Sequence, residues 1–170
     1  FQRSPNFSIP ARNRKLSAAN IKNYKKNFKK LRSYLKRTQG GHPFEFPKKS
    51  AFDFKEAKRN QMYEKSWQYG TLSFRETFND IVKTIKANKT AFKFIENKIY
   101  STVKNREYAK ILTNFDHPFT AKRPTLNTNY YQMFNKKNVE LVDLKENPIL
   151  KITKKGIKTK KNEFNLDNII

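Results

Sequence analysis

Apolar residues recur at helical spacing through the first two thirds of the chain. From Ser17 onward they stand three or four positions apart with Lys on the other faces, which predicts an amphipathic helix that Ser17 caps and that runs to about Arg37. The apolar positions of this helix are Ile21, Tyr24, Phe28, Leu31 and Leu35.

Further helices are predicted after this one, which Gly40, Gly41 and Pro43 end. Asp53, followed by Glu56 three residues later, predicts the capped start of a second helix that ends near Gly70. Helical spacing then returns in two segments, Phe92-Ile95-Ile99-Val103 and a short piece from Ala109 to Leu112. No strand is expected between Ser17 and about Asp116.

The two ends of the chain have extended character instead. Pro5 and Pro10 hold the first 16 residues extended. After Pro118 the pattern predicts a short helix and then strands, the first pair of them in a hairpin. These elements are Thr128 to Asn135 (helix), Val139 to Val142 (strand), Ile149 to Thr153 with Gly156 to Thr159 (hairpin) and Phe164 to Ile170 (strand). The pattern therefore predicts an α/β fold with a helical insertion.

The 170 residues carry 38 Lys and Arg against 14 Asp and Glu, a formal net charge of +24. Such a charge attracts polyanions through counterion release, so a small basic nucleic-acid-binding protein is one interpretation. Tyr24, Phe28 and Tyr34 stand among lysines and could stack on bases. Their helical spacing favours a core position, and the even spread of Lys favours surface filling over specific nucleic-acid binding.

Several classes of site are excluded by composition. The absence of Cys rules out disulfides and thiolate sites, and with His42 and His117 as the two histidines no metal site is expected. No apolar run approaches the roughly 20 residues of a membrane span, and no signal peptide precedes Phe1, so a cytoplasmic location is expected. Phe1 in place of Met, and the apolar Ile169-Ile170, indicate that the sequence continues at both ends.

Two short basic segments contain side chains that could bind a cofactor or take part in catalysis. Phe1-Gln2-Arg3-Ser4 has the form found after the second strand of an NADP-binding βαβ unit, where an Arg beside a hydroxyl accommodates the 2′-phosphate. The second segment is Lys122-Arg123-Pro124. Taken alone, each is equally compatible with a solvated surface.

Taken together, the two segments resemble the middle of a Baeyer-Villiger flavin monooxygenase. In that family an Arg-Ser or Arg-Thr pair, a helical subdomain and a Lys-Arg pair follow in this order. Further segments that match the family are Glu64 to Gly70 with Trp67, Asn129-Tyr130-Tyr131, Phe134 to Val139 and Val142 to Ile149.

The resemblance implies a part of a Rossmann-like NADP-binding domain, formed by residues 1–16 and 118–170 and interrupted by a helical insertion at 17–117. It implies that Arg3, Ser4 and Lys122 bind the 2′-phosphate of NADPH and that Arg123 is catalytic beside the flavin. A fixed guanidinium there would stabilise negative charge that develops during oxygen transfer. We expect core packing for Trp67, Tyr130 and Tyr131.

The implied activity is that of an FAD- and NADPH-dependent monooxygenase that inserts one oxygen atom of O2 into a ketone to give an ester or lactone. Four glycines cannot form the glycine-rich loop of either cofactor, so most of the FAD site and both loops would lie in remaining parts of the same enzyme, and the isolated chain should be inactive. A related flavin-containing or N-hydroxylating monooxygenase is the alternative within this class. His117 beside Asp116 could act as a general base, although a loop position is favoured.

Overall fold

The computed structural model of the protein describes residues 4–38, 41–43 and 46–170. Arg3, Gly40 and Phe44 lie outside the described residues. The described chain forms six α-helices, two short 3-10 segments and five short strands. The helices are α1 (Ala18–Lys26), α2 (Phe28–Leu35), α3 (Glu56–Tyr69), α4 (Ile85–Thr102), α5 (Arg106–Leu112) and α6 (Tyr130–Met133). The strands are β1 (Ser8–Pro10), β2 (Thr125–Asn127), β3 (Ile149–Thr153), β4 (Gly156–Thr159) and β5 (Glu163–Asn165).

The strands form two separate sheets. β1 and β2 pair in parallel, with Ser8 opposite Thr125, although 114 residues of mostly helical chain separate them. β3, β4 and β5 form an antiparallel sheet in sequence order. The predicted α/β class and the predicted hairpin are confirmed, and no strand interrupts the described residues between Ser17 and Asp116.

The core lies between α3, α4 and β1 and is rich in aromatic side chains. Tyr63, Trp67, Phe74 and Phe94 contact one another with ring centroids 5.4 to 5.9 Å apart. Burial raises the pKa of Tyr63 to about 12, and its hydroxyl hydrogen-bonds Thr90 over 2.7 Å. Trp67 and Tyr131 are buried, as predicted.

The first predicted helix differs from the structure in two ways. Ser17 caps α1 as predicted, by accepting a hydrogen bond from the Asn20 amide, but the helix breaks at Asn27. The Asn27 side chain donates back to the Asn23 carbonyl, a local bond that competes with regular helix. The predicted core position of its apolar face is wrong, since α1 and α2 bury no residue and Tyr24 and Phe28 are 48% and 56% exposed.

The start of the second helix is also corrected. Asp53 does not cap it, because its carboxylate accepts from the Ser50 amide in a capping box around the 3-10 segment Ala51–Asp53. α3 begins at Glu56 after Lys55 and ends at Gly70, where the prediction placed its end. Gly70 has φ +81, and a Cβ there would stand 2.3 Å from Cγ of Arg12, so only glycine permits this approach of α3 to the end of β1.

Three strand predictions need correction. Residues 139–142 are not a strand, because no strand of the described chain lies beside them to pair with, although Val139 and Leu141 still pack partly against the core. The last strand covers Glu163–Asn165, and residues 166–170 are irregular. β2 was not predicted at all, because three residues are too few for a pattern to indicate a strand.

Candidate functional site

The parallel pairing of β1 with β2 sets the chain that follows Ser4 beside the chain that follows Lys122. Extending the register of Ser8 with Thr125 backwards sets residues 4–6 beside residues 121–123. Asn6 fixes this arrangement, because its side-chain amide donates to the Arg123 carbonyl over 2.8 Å, and Thr125 donates to the Phe7 carbonyl over 2.9 Å. Ser4 and the Lys122-Arg123 pair therefore lie at the same ends of two adjacent strands.

Lys122 is the better defined cation of the pair. Its Nζ lies 3.3 Å from Oδ1 of Asp116, and its side chain is 43% exposed. Asp116 also accepts from Nδ1 of His117 over 2.6 Å. The bond from His117, and to a lesser degree that from Lys122, holds the pKa of the Asp116 carboxyl below its usual value. Asp116 is therefore ionised at neutral pH, as its contacts with His117 and Lys122 require.

His117 lies in a loop, as favoured from the sequence, yet its side chain is only 9% exposed. Its ring packs edge-on against Phe7, with centroids 5.3 Å apart, and its Nε2 has no hydrogen-bond partner among the described residues. A buried ring whose Nδ1 is committed to Asp116 is placed to orient that carboxylate. The general-base alternative gains no support from this geometry, because the reactive nitrogen is buried.

Aromatic packing holds the loop that leads to Lys122 against β1. Phe7 stacks on Phe115 with centroids 3.8 Å apart and contacts Phe119 edge-on at 5.3 Å. Phe7 and Phe119 are fully or almost fully buried. The cations at 122 and 123 thus extend from a fixed base even though their own side chains are exposed.

Asn88 on α4 is a positioning residue that the sequence reasoning missed. Its buried amide donates to the carbonyls of Ile81 and Phe119 and accepts from the Phe119 amide over 3.0 Å. A buried Asn that satisfies three backbone groups ties the helical segment to the loop before Lys122. An Asn within an apolar helical face is the signal that could have revealed it.

The other predicted site residues have different surroundings. The Arg123 side chain is exposed, and its guanidinium has no hydrogen-bond or ion-pair partner in the part of the chain that the structure describes. Ser4 is exposed two residues before Asn6, and Arg3 falls outside the described residues. Within residues 4–38, 41–43 and 46–170, no group of three His, Asp or Glu side chains could hold a metal ion.

An open groove of about 790 Å³ borders the site. Ser4, Pro5 and Asn6 line one end of it, and side chains of α5, α6 and the antiparallel sheet line the rest. Tyr131 at its floor donates a hydrogen bond to the Ser8 carbonyl over 3.2 Å, and burial raises the pKa of this hydroxyl. No helix of the described residues is long and apolar enough to cross a membrane.

Solved structures share the fold of this chain. A steroid monooxygenase solved with bound NADP superposes with a TM-score of 0.92 at 38% identity, over 98% of this chain and 32% of that one. A complex of OTEMO with FAD and NADP gives 0.93 at 32% identity, over 98% and 31%. The Baeyer-Villiger monooxygenase of Pseudooceanicola batsensis is 34% identical over 100% of this chain and 31% of its own. This chain is related to the Baeyer-Villiger flavin monooxygenases.

Relatives of both predicted reaction types are found. The cyclohexanone 1,2-monooxygenase of an Acinetobacter species is 36% identical and the phenazine N-monooxygenase of Lysobacter antibioticus is 37% identical, each over 100% of this chain and 32% of the relative. No protein-family model matches. The chain thus spans about a third of the length of the Baeyer-Villiger monooxygenases and other curated relatives that it matches.

Proposed function

We propose that this chain supplies the NADP-binding residues and one catalytic residue of an FAD- and NADPH-dependent Baeyer-Villiger monooxygenase. Its substrates would be a ketone and O2, and its product an ester or lactone. NADPH supplies two electrons, one oxygen atom enters the ketone, and the other leaves as water. Residues 1–16 and 118–170 would belong to the NADP-binding domain and residues 17–117 to a helical insertion, in a cytoplasmic enzyme.

The observation that carries the proposal is the Asn6 to Arg123 hydrogen bond. It holds Asn6, two residues after Ser4, beside Arg123, across more than a hundred residues, in a chain that superposes on NADP-bound relatives. The Lys122 ammonium and the Ser4 hydroxyl, which precede two paired strands, fit a phosphate group, whereas a solvated loop needs no such pairing.

The residues have separate tasks in this proposal. The Lys122 ammonium and the Ser4 hydroxyl bind the 2′-phosphate, together with Arg3, and Asp116 orients Lys122 through their ion pair. The exposed Arg123 guanidinium presents a permanent positive charge that stabilises negative charge developing on the reacting oxygen. Bound FAD would supply the oxygen chemistry, and the glycine-rich loops that bind it are not in this chain.

The test is expression of the full-length protein that contains this sequence, loaded with FAD. We expect NADPH consumption that cyclohexanone or another ketone stimulates, and a product that carries one labelled atom when 18O2 is used. The 170-residue chain alone should consume no NADPH. A full-length protein that binds FAD and NADPH but converts no ketone of a broad panel would refute the proposed reaction.

N-oxidation is the second candidate, and the 37% identity to a phenazine N-monooxygenase favours it. Similarity of this size does not separate the two reactions, because the cyclohexanone enzyme matches equally well. Phenazine belongs in the same substrate panel. Formation of a labelled N-oxide without any ester or lactone would replace the first proposal by this one.

A further inference from the structure

The antiparallel sheet has one polar and one apolar face. Directly opposite residues of paired strands point to the same side, so Ile152 of β3, Ile157 of β4 and Phe164 of β5 form one row on one face. The adjacent row on the opposite face is Lys151, Lys158 and Glu163. This alternation is typical of a sheet that packs one face against another body and exposes the other to water.

The apolar face is nevertheless open. Ile152 is 70% exposed, whereas Ile157 and Phe164 are half-buried. Ile157 and Phe164 line the open groove that reaches Ser4. A small sheet needs its hydrophobic face covered to be stable, and the described chain does not cover this one.

We propose that this face, defined by Ile152, Ile157 and Phe164, is the surface on which the remaining two thirds of the flavoprotein pack. The inference rests on the proposed function. Its basis is length: the relatives superpose on 98% of this chain but are about three times as long, so most of their polypeptide lies outside the matched part. An apolar face that borders the candidate site is where that polypeptide would join it.

Two other occupants fit the observations less well. A nucleotide needs cations around its phosphates, and the groove is lined by one cation, Lys145, against two carboxylates, Glu140 and Asp143, with walls that are otherwise mainly aliphatic and aromatic. A second copy of this chain would bring together two molecules that each carry +24, and their mutual repulsion opposes association. The same charge favours a covering polypeptide with an acidic rim.

The chain lacks Cys, so a single thiol can report burial at a chosen position. The test uses Ile152→Cys and, as a matched control, Ile85→Cys at the start of α4, where the native side chain is 60% exposed and outside the groove. Each variant of the full-length protein is labelled with a maleimide, and the rate is followed by the mass of the peptide that carries the substitution. Both variants are also labelled as 170-residue chains.

We expect the thiol of Ile152→Cys to react more than an order of magnitude more slowly than that of Ile85→Cys in the full-length protein, and the two to react alike in the 170-residue chain. Equal rates in the full-length protein would overturn the proposal. Protection that requires added NADPH would assign the face to the nucleotide, and protection in the short chain together with a dimer in sedimentation would assign it to a second copy. Either result also overturns it.

The measurement needs no turnover, which separates this inference from the proposed reaction. A full-length protein that protects Ile152→Cys but oxidises no substrate supports the interface and refutes the monooxygenase assignment. A second pair, Ile152→Asp and Ile85→Asp, tests the energy of the contact. We expect the first to lower the thermal midpoint of the full-length protein more than the second, and an equal effect of both would contradict the proposal.

Discussion

At the scale of single residues, the candidate site is a set of exposed cations on a rigid base. Asn6 and Asn88 bond the backbone on both sides of Lys122 and Arg123, and Phe7 packs beneath the loop. The functional side chains themselves are held loosely, apart from the Lys122 ion pair with Asp116. Such a site can exchange a carboxylate for a phosphate on Lys122 without rearranging the fold, because both are oxygen anions.

Lys122→Ala tests the 2′-phosphate assignment. In the full-length protein we expect the KM for NADPH to rise much more than that for NADH, by an energy of about 1.5 to 3 kcal/mol for the lost charged hydrogen bond. Steady-state kinetics with both cofactors give the ratio, and Lys110→Ala on the exposed surface of α5 serves as control for lost charge. An equal loss with NADH and NADPH would contradict a role at the 2′-phosphate.

Arg123→Ala tests the catalytic assignment. We expect NADPH still to reduce the flavin, because Arg123 is not assigned to the 2′-phosphate, whereas formation of the ester or lactone is abolished. Arg123→Lys should not restore the product, since an ammonium on a flexible stem lacks the planar fork that fixes the charge. Anaerobic stopped-flow absorbance measures reduction and product analysis measures oxygenation. If the alanine variant forms ester at the wild-type rate, Arg123 is a surface residue.

At the scale of elements, the hairpin of β3 and β4 depends on one glycine. Gly156 has φ +148, and a Cβ there would stand 2.0 Å from the Phe164 carbonyl oxygen on β5. A side chain at this position therefore meets both backbone strain and a backbone clash that no rotamer relieves. The apolar row of the sheet depends on this close approach of β4 to β5.

Gly156→Ala should therefore melt the hairpin locally, while Gly41→Ala serves as the matched control. Gly41 also has positive φ, +69, but a Cβ there meets nothing within 4 Å, so its substitution should cost only the left-handed backbone term of about 1 to 2 kcal/mol. Hydrogen exchange of the Ile152 and Ile157 amides reports the hairpin. Loss of protection in Gly41→Ala as large as that in Gly156→Ala would exclude the clash as the cause.

The elements also show what sequence patterns can and cannot predict. The helix at Phe92 to Ile99 and the turn at Gly156 followed from periodicity and turn chemistry, because both are local, whereas the start of α4 at Ile85 was not predicted. β2 and the bonds of Asn88 could not be predicted, since each exists through a partner distant in the chain. The break of the helix at Asn27 could have been predicted, because an Asn side chain that hydrogen-bonds to the carbonyl of residue 23 competes locally with regular helical structure.

The residues of the candidate site also divide into those that the sequence indicated and those that depend on distant partners. The resemblance singled out Lys122 and Arg123, and the structure supplied the bond that holds Arg123 beside Asn6. The ion pair of Lys122 with Asp116 and the burial of His117 were missed, because a loop sequence does not reveal which of its side chains turn inward. Arg3 and its assigned role stay a prediction.

At the scale of the whole molecule, the net charge of +24 still has two interpretations. The sequence argument against nucleic-acid binding relied on a core position for Tyr24 and Phe28, and both are exposed. α1 and α2 carry many Lys and no acidic residue. These aromatic rings therefore lie among basic side chains, an arrangement suited to stacking on nucleic-acid bases. The same helical face is equally suited to contact with an acidic polypeptide.

Nucleic-acid binding separates these interpretations. If the charge serves only surface filling and contact with the rest of the flavoprotein, the full-length protein should bind duplex DNA no tighter than about micromolar at physiological salt, without sequence preference. Tyr24→Ala with Phe28→Ala should leave its affinity for a single-stranded oligonucleotide unchanged, and Tyr69→Ala, which removes another exposed ring, is the control. Fluorescence anisotropy over a series of salt concentrations gives both quantities. A selective loss of oligonucleotide affinity in the double variant, or a footprint at a defined DNA sequence, would make α1 and α2 a nucleic-acid interface, because nonspecific charge attraction depends on neither ring stacking nor base order.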